Sequence, residues 1–361
     1  MLRNSKPRYK KNVKKKKTLL GLFLKSCIYT FLGLILTGIA SFYIFIVSGW
    51  IKPTQELWVT TAMTTLNHKW LATAFIKEET IEDIMKRNQV DDSGYETSTD
   101  LVEIPISSKD ETASSNTETP KEDYIDEGYT KLEEGIYVKD VSGGTWKGKL
   151  MLISDPSRVT LAQTRYQFER GDLVKTMVQT HNARAGINAG GFVDGPNYDS
   201  NGGTPAGLLI VNNELIQSNG NMKHSVIGFN QDNVLVLGKM TKQEALDANL
   251  RDAVDFRPFL IVNGEKTIKE GTGGWGIAPR TAIGQRKTGE VLFLCIDGRQ
   301  PGHSLGTDLD VLQNTLYDEG CINAAMLDGG SSTVMYYKDD YVNKPSLGHE
   351  RYINNAWIIK S

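Results

Sequence analysis

The feature that most constrains this chain is a run of 25 residues without a charged side chain, from Ser26 to Trp50. A helix that crosses a bilayer needs about 20 apolar residues, whereas the apolar part of a cleaved signal peptide has about 7–15. We therefore predict a transmembrane signal anchor over residues 19–50. A cleaved signal peptide is the alternative, since Ser41 and Ser48 supply small residues of the kind that a cleavage site needs.

Charge is distributed unevenly around this run. Residues 1–17 carry nine Lys and Arg and no acid, while the rest of the chain has 32 Lys and Arg against 43 Asp and Glu, a net charge of −11. The positive-inside rule predicts a basic cytoplasmic tail over residues 1–18, with everything beyond residue 50 extracellular, in a single-pass protein of the cell membrane. The acidic body argues against nucleic acid as a partner.

Two segments follow the apolar run. Residues 51–90 have apolar side chains at helical spacing, among them Leu57 and Ile84, which predicts a juxtamembrane helical segment. This segment has three possible packing partners: the membrane, another copy of the chain, or the outer domain. Residues 91–127 contain twelve acids and two lysines, with few large apolar side chains. We therefore predict a flexible, disordered acidic stalk over residues 91–130.

Residues 131–361 have the length of one sizeable domain and a pattern rich in β-hairpins. Short apolar runs flank Asn212-Asn213 and Asn263-Gly264, which are typical turn residues of tight hairpins. Residues 291–335 contain an apolar run, an amphipathic stretch and a second apolar run. The predicted fold class is α+β, with a mixed β-sheet, hairpins and a C-terminal β-α-β unit.

The two apolar runs of the β-α-β unit end in similar turns. Leu292–Ile296 precedes Asp297-Gly298-Arg299, and Ala324–Leu327 precedes Asp328-Gly329-Gly330-Ser331-Ser332. If the two strands pair in parallel, both carboxylates emerge at one edge of the sheet, where ligands of open α/β sheets collect. Asp-Gly pairs are also common in turns, so the alternative for each Asp is a cap on local backbone.

Three further clusters combine glycine with polar residues, most of them beside β-like runs. They are Gly186–Asp194, with Asn188, Gly190 and Gly191; Gly202–Gly207, with Thr204; and Ala278–Gly284, with Arg280 and Thr281. Glycine lets backbone and ligand approach closely. One such cluster alone is usually a turn, but four in one domain indicate a binding site.

Together these motifs resemble those of the phosphodiester glycosidase family, in that family's order: INAGGF at 187–192, PRTAIG at 279–284, DGR at 297–299 and LDGGSST at 327–333. The resemblance covers residues 133–361. It implies hydrolysis of the bond between the anomeric carbon of a sugar and a phosphate that bridges to a second group. The part before residue 130 resembles the membrane-anchored arrangement of Gram-positive bacterial members, which meet cell-surface glycans and exopolysaccharides.

The resemblance assigns substrate-binding roles that the residue types support. Planar guanidinium groups hold a phosphodiester anion well, so Arg280 and Arg299 are the predicted anion ligands, with structural ion pairs as the alternative. Asn188 is predicted either to bind substrate or to brace a catalytic Asp. The backbone N–H groups of two glycines, with two serines, suit an anion-binding nest. The predicted substrate-binding set is Asn188, Gly190, Gly191, Thr204, Arg280, Thr281, Arg299, Gly329, Gly330, Ser331 and Ser332.

Glycosidases commonly use two carboxyl groups, which makes Asp297 and Asp328 the predicted catalytic residues. Neighbouring strands lie about 4.8 Å apart, so carboxyl groups at adjacent strand ends could approach the ~5–5.5 Å separation of retaining enzymes. Two close carboxylates would also raise one of the two pKa values, leaving one acid and one base near neutral pH.

Two other functions fit the same residues. Asp194, Asp297 and Asp328 could hold a divalent cation such as calcium and act as a metal-dependent phosphodiesterase. A non-catalytic glycan-binding or exopolysaccharide-assembly protein is the third possibility. The glycosidase hypothesis requires no cofactor. The partners that it predicts for the protein are the membrane and a substrate, which is a sugar-1-phosphodiester or a surface glycan. Cys295 and Cys321 are predicted to be small buried side chains, although an extracellular location permits a disulfide.

Overall fold

The computed structural model describes residues 9–65, 68–104, 124–194 and 200–361, with side chains from residue 21 onward. It begins with helix α1, Tyr9–Phe42, which continues as a π-helix over Tyr43–Val47. Within it, Gly21–Val47 is long and apolar enough to cross a membrane, with a mean hydropathy of 2.2. The predicted apolar helix is thus present, in a form that suits either a single-pass anchor or a signal sequence. Residues 1–8 of the predicted basic tail lie outside the described residues.

The juxtamembrane segment consists of three short helices: α2, Lys52–Thr64; α3, Trp70–Thr73; and α4, Glu78–Arg87. They share a small core that includes Val59, Ala72 and Ile84. The side chain of Gln55 at the start of α2 donates a hydrogen bond of 2.8 Å to the carbonyl oxygen of Ile46. This bond connects α2 to the end of the apolar helix.

Of the three packing partners considered for the juxtamembrane segment, the structure shows contact with the outer domain. Thr64 Oγ1 donates a hydrogen bond of 3.3 Å to Trp275 O, and Thr61 Oγ1 accepts one of 3.0 Å from Ile277 N. Asn88 Oδ1 also accepts a hydrogen bond of 3.2 Å from Thr272 N. The juxtamembrane segment therefore packs against residues 272–277 of the outer domain.

The prediction of a flexible stalk over residues 91–130 is wrong for residues 91–104 and 124–130, which pack on the domain. Thr97 exchanges two hydrogen bonds of 3.0 Å with the backbone of Leu237, and Asp92 forms an ion pair of 2.8 Å with Lys239. Tyr124 is buried. Two of the acids that suggested disorder, Asp92 and Glu103, are held by lysines that lie far away in sequence. Residues 105–123 lie outside the described residues.

In its described residues, the outer domain contains eighteen strands and three α-helices. The strands are β1, Thr130–Glu133; β2, Ile136–Ser142; β3, Lys147–Ile153; β4, Val159–Gln163; β5, Ala185–Asn188; β6, Leu209–Val211; β7, Glu214–Gln217; β8, His224–Asn230; β9, Leu235–Met240; β10, Leu250–Asp255; β11, Phe259–Val262; β12, Glu265–Lys266; β13, Arg280–Arg286; β14, Val291–Ile296; β15, Cys321–Met326; β16, Met335–Tyr337; β17, Asp340–Tyr341; and β18, Asn355–Ile359. The helices are α5, Val174–Thr180; α6, Lys242–Asp247; and α7, Leu309–Asp318.

These strands form three antiparallel sheets. The first has eight strands in the order β1-β2-β3-β14-β13-β15-β11-β12, the second has the order β7-β6-β10-β8-β9, and the third has the order β17-β16-β5-β18-β4. The predicted hairpins at Asn212-Asn213 and Asn263-Gly264 are confirmed as β6–β7 and β11–β12. The α+β class is confirmed, with antiparallel sheets where a mixed sheet was expected.

The three sheets enclose a common apolar core. Met151 and Phe293 from the first sheet, Phe229 from the second, and Ile187 and Trp357 from the third are all fully buried in it. Helix α7 covers the opposite face of the first sheet with Leu309, Leu312 and Leu316. Burial of one face of each sheet against the other two makes residues 124–194 and 200–361 a single packed unit.

The predicted parallel pairing of Leu292–Ile296 with Ala324–Leu327 is wrong, because β13 lies between them and is antiparallel to both. Strands β14 and β15 still run in the same direction, so both end at one edge of the sheet. Their ends are separated by two strand spacings, which together are about 9–10 Å. Strand β13 begins at this edge, where Arg280 pairs with Ile296. Crossover helix α7 thus joins two strands that are not neighbours.

Cys295 and Cys321 are free thiols, as the prediction of small buried side chains requires. They lie on β14 and β15, on either side of β13. Burial raises the pKa of both thiols, which leaves them protonated and unreactive.

Candidate active site

A cavity of about 460 Å³ opens at the sheet edge where β14 and β15 end and β13 begins. Its walls come from several parts of the chain, among them the loops that flank β5 and β18 of the third sheet. The first sheet and its turns contribute Arg280, Arg299, Met326, Asp328, Gly329, Gly330 and Ser331; the second sheet and nearby loops contribute Gly207, His224, Asp255 and Phe256; the juxtamembrane segment contributes Thr64 and Thr65.

Asp328 lines this cavity and is half-buried. Its backbone N–H donates a hydrogen bond of 3.0 Å to Ala189 O, which fixes the turn after β15. Burial raises the pKa of the carboxyl group to about 6, although hydrogen bonds from Ser332 and from the Gly329 N–H, together with the charge of Arg351, act in the opposite direction. A carboxyl group with this pKa exchanges protons near neutral pH, as a general acid or base must.

The structure does not bring Asp297 into the same cavity. Its carboxylate accepts hydrogen bonds from His303 Nε2 at 2.8 Å, Asn343 Nδ2 at 3.0 Å and the backbone N–H of Lys344 at 2.9 Å. Asp297 is buried and ties the loop after β14 to the loop after β17. The sequence places this carboxylate at the correct sheet edge but gives no information on the direction of its side chain.

Arg280 lines the cavity with a side chain held by main-chain oxygens. It is 3% exposed and donates hydrogen bonds of 3.2 Å to Thr307 O and 2.6 Å to Gly276 O, with a third to Trp275 O. No carboxylate of the described residues lies within ion-pair distance of it. Burial lowers the pKa of the guanidinium to about 9, so the group stays cationic at neutral pH.

Arg299 reaches the same cavity from the turn after β14, where its backbone is left-handed with φ of 59°. Its Nη2 lies 3.3 Å from the position that a Cβ on Gly330 would occupy, so the guanidinium lies over the Gly329-Gly330 turn. Its charge also contributes to the lowered pKa of Arg280. Among the described residues neither arginine has an ion-pair partner, and two such cations in one cavity favour an anionic ligand.

Asn188 and Thr281 do not line the cavity but support the turn that carries Asp328. Asn188 Nδ2 donates a hydrogen bond of 2.5 Å to Asp328 O, and its Oδ1 accepts hydrogen bonds from Thr281 Oγ1 at 2.8 Å and Val334 N at 3.1 Å. Of the two roles predicted for Asn188, the structure supports the bracing of Asp328.

The glycine clusters divide between cavity wall and support. Gly191 lines the cavity, whereas Gly190 donates its N–H to Asn355 Oδ1 at 2.7 Å. Thr204 does not line the cavity, and its carbonyl oxygen accepts a hydrogen bond of 2.8 Å from Val193 N.

The predicted anion-binding nest after β15 is not formed. The N–H of Gly329 bonds to the Asp328 carboxyl group, and the N–H of Gly330 donates to Pro279 O at 2.9 Å. Ser332 is buried and also bonds to Asp328. Gly329, Gly330 and Ser331 still line the cavity, as surfaces close to Arg299.

Several cavity residues were not identified from the sequence. His224 and Asp255 form a hydrogen-bonded pair at 2.7 Å, and Arg351 pairs with Asp194 at 3.3 Å. Apolar surface comes from Phe192, Met222, Phe256, Trp275 and Met326. The sequence signal for Asp255 was the position of an acid at the end of a predicted strand. The pairing of Asp255 with His224 depends on the contact between two strands.

The described residues do not assemble the predicted divalent-cation site. Asp297 lies outside the cavity and Asp194 is neutralised by Arg351, so the three predicted metal ligands are not assembled. Within the described ranges, no group of three or more His, Cys, Asp or Glu side chains is suited to hold a metal ion.

Comparison with known proteins supports one family. Residues 181–360 match the family model described as phosphodiester glycosidase. The human N-acetylglucosamine-1-phosphodiester alpha-N-acetylglucosaminidase is 26% identical over 185 residues, which are 46% of this chain and 34% of the human protein. A Bacillus subtilis (strain 168) protein, the SPbeta prophage-derived uncharacterized protein YomE, is 41% identical over 81 residues, 22% of this chain and 12% of that protein. The matched segments thus span 34% or less of the length of these relatives.

The fold of this chain is also similar to that of a solved structure. The catalytic domain of the zebrafish N-acetylglucosamine-1-phosphodiester alpha-N-acetylglucosaminidase, auto-inhibited by its pro-peptide, superimposes with a TM-score of 0.53 at 21% sequence identity. The alignment covers 63% of this chain and 82% of the zebrafish domain. The sequence match therefore supports residues 181–360 as a phosphodiester glycosidase domain, and the superposition shows that this chain shares the fold of the zebrafish catalytic domain.

Proposed function

We propose that this protein is an extracellular, membrane-anchored hydrolase of the Gram-positive bacterial type. Its reaction is cleavage of the glycosidic bond of a sugar-1-phosphodiester in a cell-surface glycan or exopolysaccharide. The observation that carries the proposal is the presence, in one cavity, of two arginines without ion-pair partners among the described residues and a carboxyl group with a pKa of about 6. The apolar helix over Gly21–Val47 and the basic residues before it support the anchoring.

In this proposal Arg280 and Arg299 bind the phosphate. A phosphodiester carries one negative charge, and further negative charge develops on the bridging oxygen while its bond to C1 breaks. Fixed guanidinium groups therefore stabilise the leaving group more strongly than the bound substrate, which is the condition for an effect on turnover. The apolar walls, with Phe256 and Trp275, suit the body of the sugar.

Asp328 acts on the bond that breaks. When the bond between C1 and the bridging oxygen opens, its electron pair goes to that oxygen, and the protonated carboxyl group of Asp328 supplies a proton there. Asp328 follows the same sheet edge as Arg280, next to the turn under Arg299, which supports a position beside the phosphate. We assign to Asp297 a positioning role for the loop that carries Arg299, because its carboxylate is occupied by three hydrogen bonds.

The test uses the full chain in detergent micelles with a panel of sugar-1-phosphodiesters in ¹⁸O-labelled water. We expect release of free sugar with ¹⁸O on C1 and no ¹⁸O in the phosphate product. Turnover with and without EDTA is expected to be the same. Label in the phosphate, with loss of turnover in EDTA, would instead establish the metal-dependent phosphodiesterase. Tight binding of the panel without release of sugar would establish the non-catalytic alternative.

A further inference from the structure

The second sheet contributes a histidine–aspartate pair to the cavity wall. His224 is the first residue of β8 and Asp255 is the last residue of the neighbouring strand β10. His224 Nδ1 lies 2.7 Å from Asp255 Oδ2, and Asp255 Oδ1 accepts a hydrogen bond of 3.1 Å from Ser225 N. Both residues line the cavity, and His224 is 2% exposed. The imidazole is therefore held in one orientation.

The partner of Nδ1 determines which nitrogen of the ring is basic. In the neutral form of the ring, a carboxylate that accepts from Nδ1 favours the tautomer with the proton on Nδ1 and the lone pair on Nε2. Nε2 lies 3.3 Å from the hydroxyl of Ser218. A neutral imidazole oriented by a carboxylate in this way acts as the base in Ser-His-Asp hydrolases.

The first two glycine clusters are packed around the segment that carries Asp255. A Cβ on Gly207, whose φ is +76°, would overlap the Asp255 carboxylate. A Cβ on Gly190 would lie 2.8 Å from Val254 Cβ, and one on Gly191 would lie 3.2 Å from Phe256 Cε2. These glycines therefore have a role that phosphate binding does not explain: they leave room for Val254–Phe256 at the cavity wall.

The chemistry of the proposed function leaves one proton without an acceptor. Asp328 supplies a proton to the leaving oxygen, but the water that attacks C1 must lose one. Of the other acids in the cavity wall, Asp194 is paired with Arg351. His224 and Asp255 belong to a different sheet from Asp328 and line the cavity from another wall.

We propose that His224, oriented by Asp255, is the general base that takes the proton from the attacking water. This inference rests on the proposed function. The oxygen of water forms a bond to C1 while the bond from C1 to the phosphate oxygen breaks, and the water proton moves to His224 Nε2. Asp328 protonates the phosphate, so the products are a free sugar and a phosphate monoester. Direct attack by water inverts the configuration at C1.

The test compares full-length variants with wild type. We expect His224→Ala to lower kcat by about 10²–10⁴-fold, the range for loss of a general base, with a much smaller change in KM. Azide has no proton to lose, so it should restore turnover of this variant and give a glycosyl azide. The isosteric Asp255→Asn should also lower kcat, which provides a second variant if His224→Ala does not fold.

Matched controls separate catalysis from folding. His181 is an exposed histidine that does not line the cavity, and His181→Ala should keep wild-type kcat. Ser218→Ala should keep most of the activity, because Ser218 is only a hydrogen-bond partner of the base. Wild type should release sugar with inverted configuration at C1, as measured by NMR.

Three results would overturn the inference: wild-type kcat in both His224→Ala and Asp255→Asn, a loss in folded His224→Ala that azide does not restore, or sugar released with retained configuration. A loss in Ser218→Ala equal to that in His224→Ala would assign the proton to the serine and not to water. Failure of the proposed function looks different, since wild type itself would then place no ¹⁸O on the sugar.

Discussion

Two Asp-Gly turns leave the same edge of the first sheet, and they differ in what their carboxylates face. Asp328 lies in the cavity wall, where burial raises its pKa to about 6. Asp297 is enclosed by donors from His303, Asn343 and Lys344 and does not line the cavity. A turn motif thus determines the position of a carboxylate along the sheet edge. Segments distant in sequence determine whether that carboxylate lines the cavity or is enclosed by protein hydrogen-bond donors.

The largest effect expected from this comparison is that of Asp328→Asn. Asn has the same shape but cannot give up a proton, so kcat should fall by about 10²–10⁴-fold. The variant should unfold at no lower temperature than wild type at pH 8, because it removes the cost of burying an ionised carboxylate. Near wild-type turnover would remove Asp328 from the catalytic residues and make the two turns equivalent.

The pH dependence of wild type tests the same carboxyl group. A general acid must be protonated, and the raised pKa of Asp328 keeps it protonated below pH of about 6. kcat/KM should therefore fall about tenfold per pH unit above this value. The charges that face this carboxyl group are those of Arg351 and Asp194. An alkaline limb that is unchanged in the residual activity of Asp328→Asn would show that another group titrates.

The turn after β14 is expected to contribute through Arg299 and not through its Asp. Arg299→Ala should raise KM by about 10–100-fold and lower kcat as well, since hydrogen bonds to charged groups are worth about 1.5–3 kcal/mol. Arg87→Ala, which removes an exposed arginine of α4, is the matched control and should leave KM unchanged. Unchanged KM and kcat in Arg299→Ala would show that this arginine does not bind the phosphate.

The smallest effect on activity is expected for Asp297→Asn. Its turnover should stay within about tenfold of wild type, whereas the free energy of unfolding should fall by about 1–3 kcal/mol through weakened hydrogen bonds. Denaturant unfolding and kcat of the same preparation provide the measurement. A loss of turnover as large as that of Asp328→Asn, in a folded protein, would restore the mechanism with two carboxylates.

Local features were predictable from the sequence. The Asn212-Asn213 and Asn263-Gly264 turns are confirmed because each joins strands that are adjacent in sequence. The motif residues Arg280, Arg299 and Asp328 do share one cavity, since strand direction alone brings the ends of β14 and β15 to the same edge.

Features that depend on distant contacts were not predictable. The insertion of β13 between β14 and β15 is a choice of strand neighbours, which hydrophobic periodicity does not encode. The pair of His224 and Asp255 exists only because β8 lies beside β10. Composition indicated disorder for residues 91–104, but a few bonds to Leu237 and Lys239 order them.

The attachment of α2 has a consequence for where the protein can work. Helix α2 starts at Lys52, close to the end of the apolar helix at Val47, and its last residue, Thr64, lines the cavity. Thirteen helical residues extend about 20 Å. In a protein anchored by its apolar helix, α2 therefore keeps the cavity within a few tens of ångströms of the bilayer surface. Only polymers within that layer, or flexible enough to fold back into it, would meet the site.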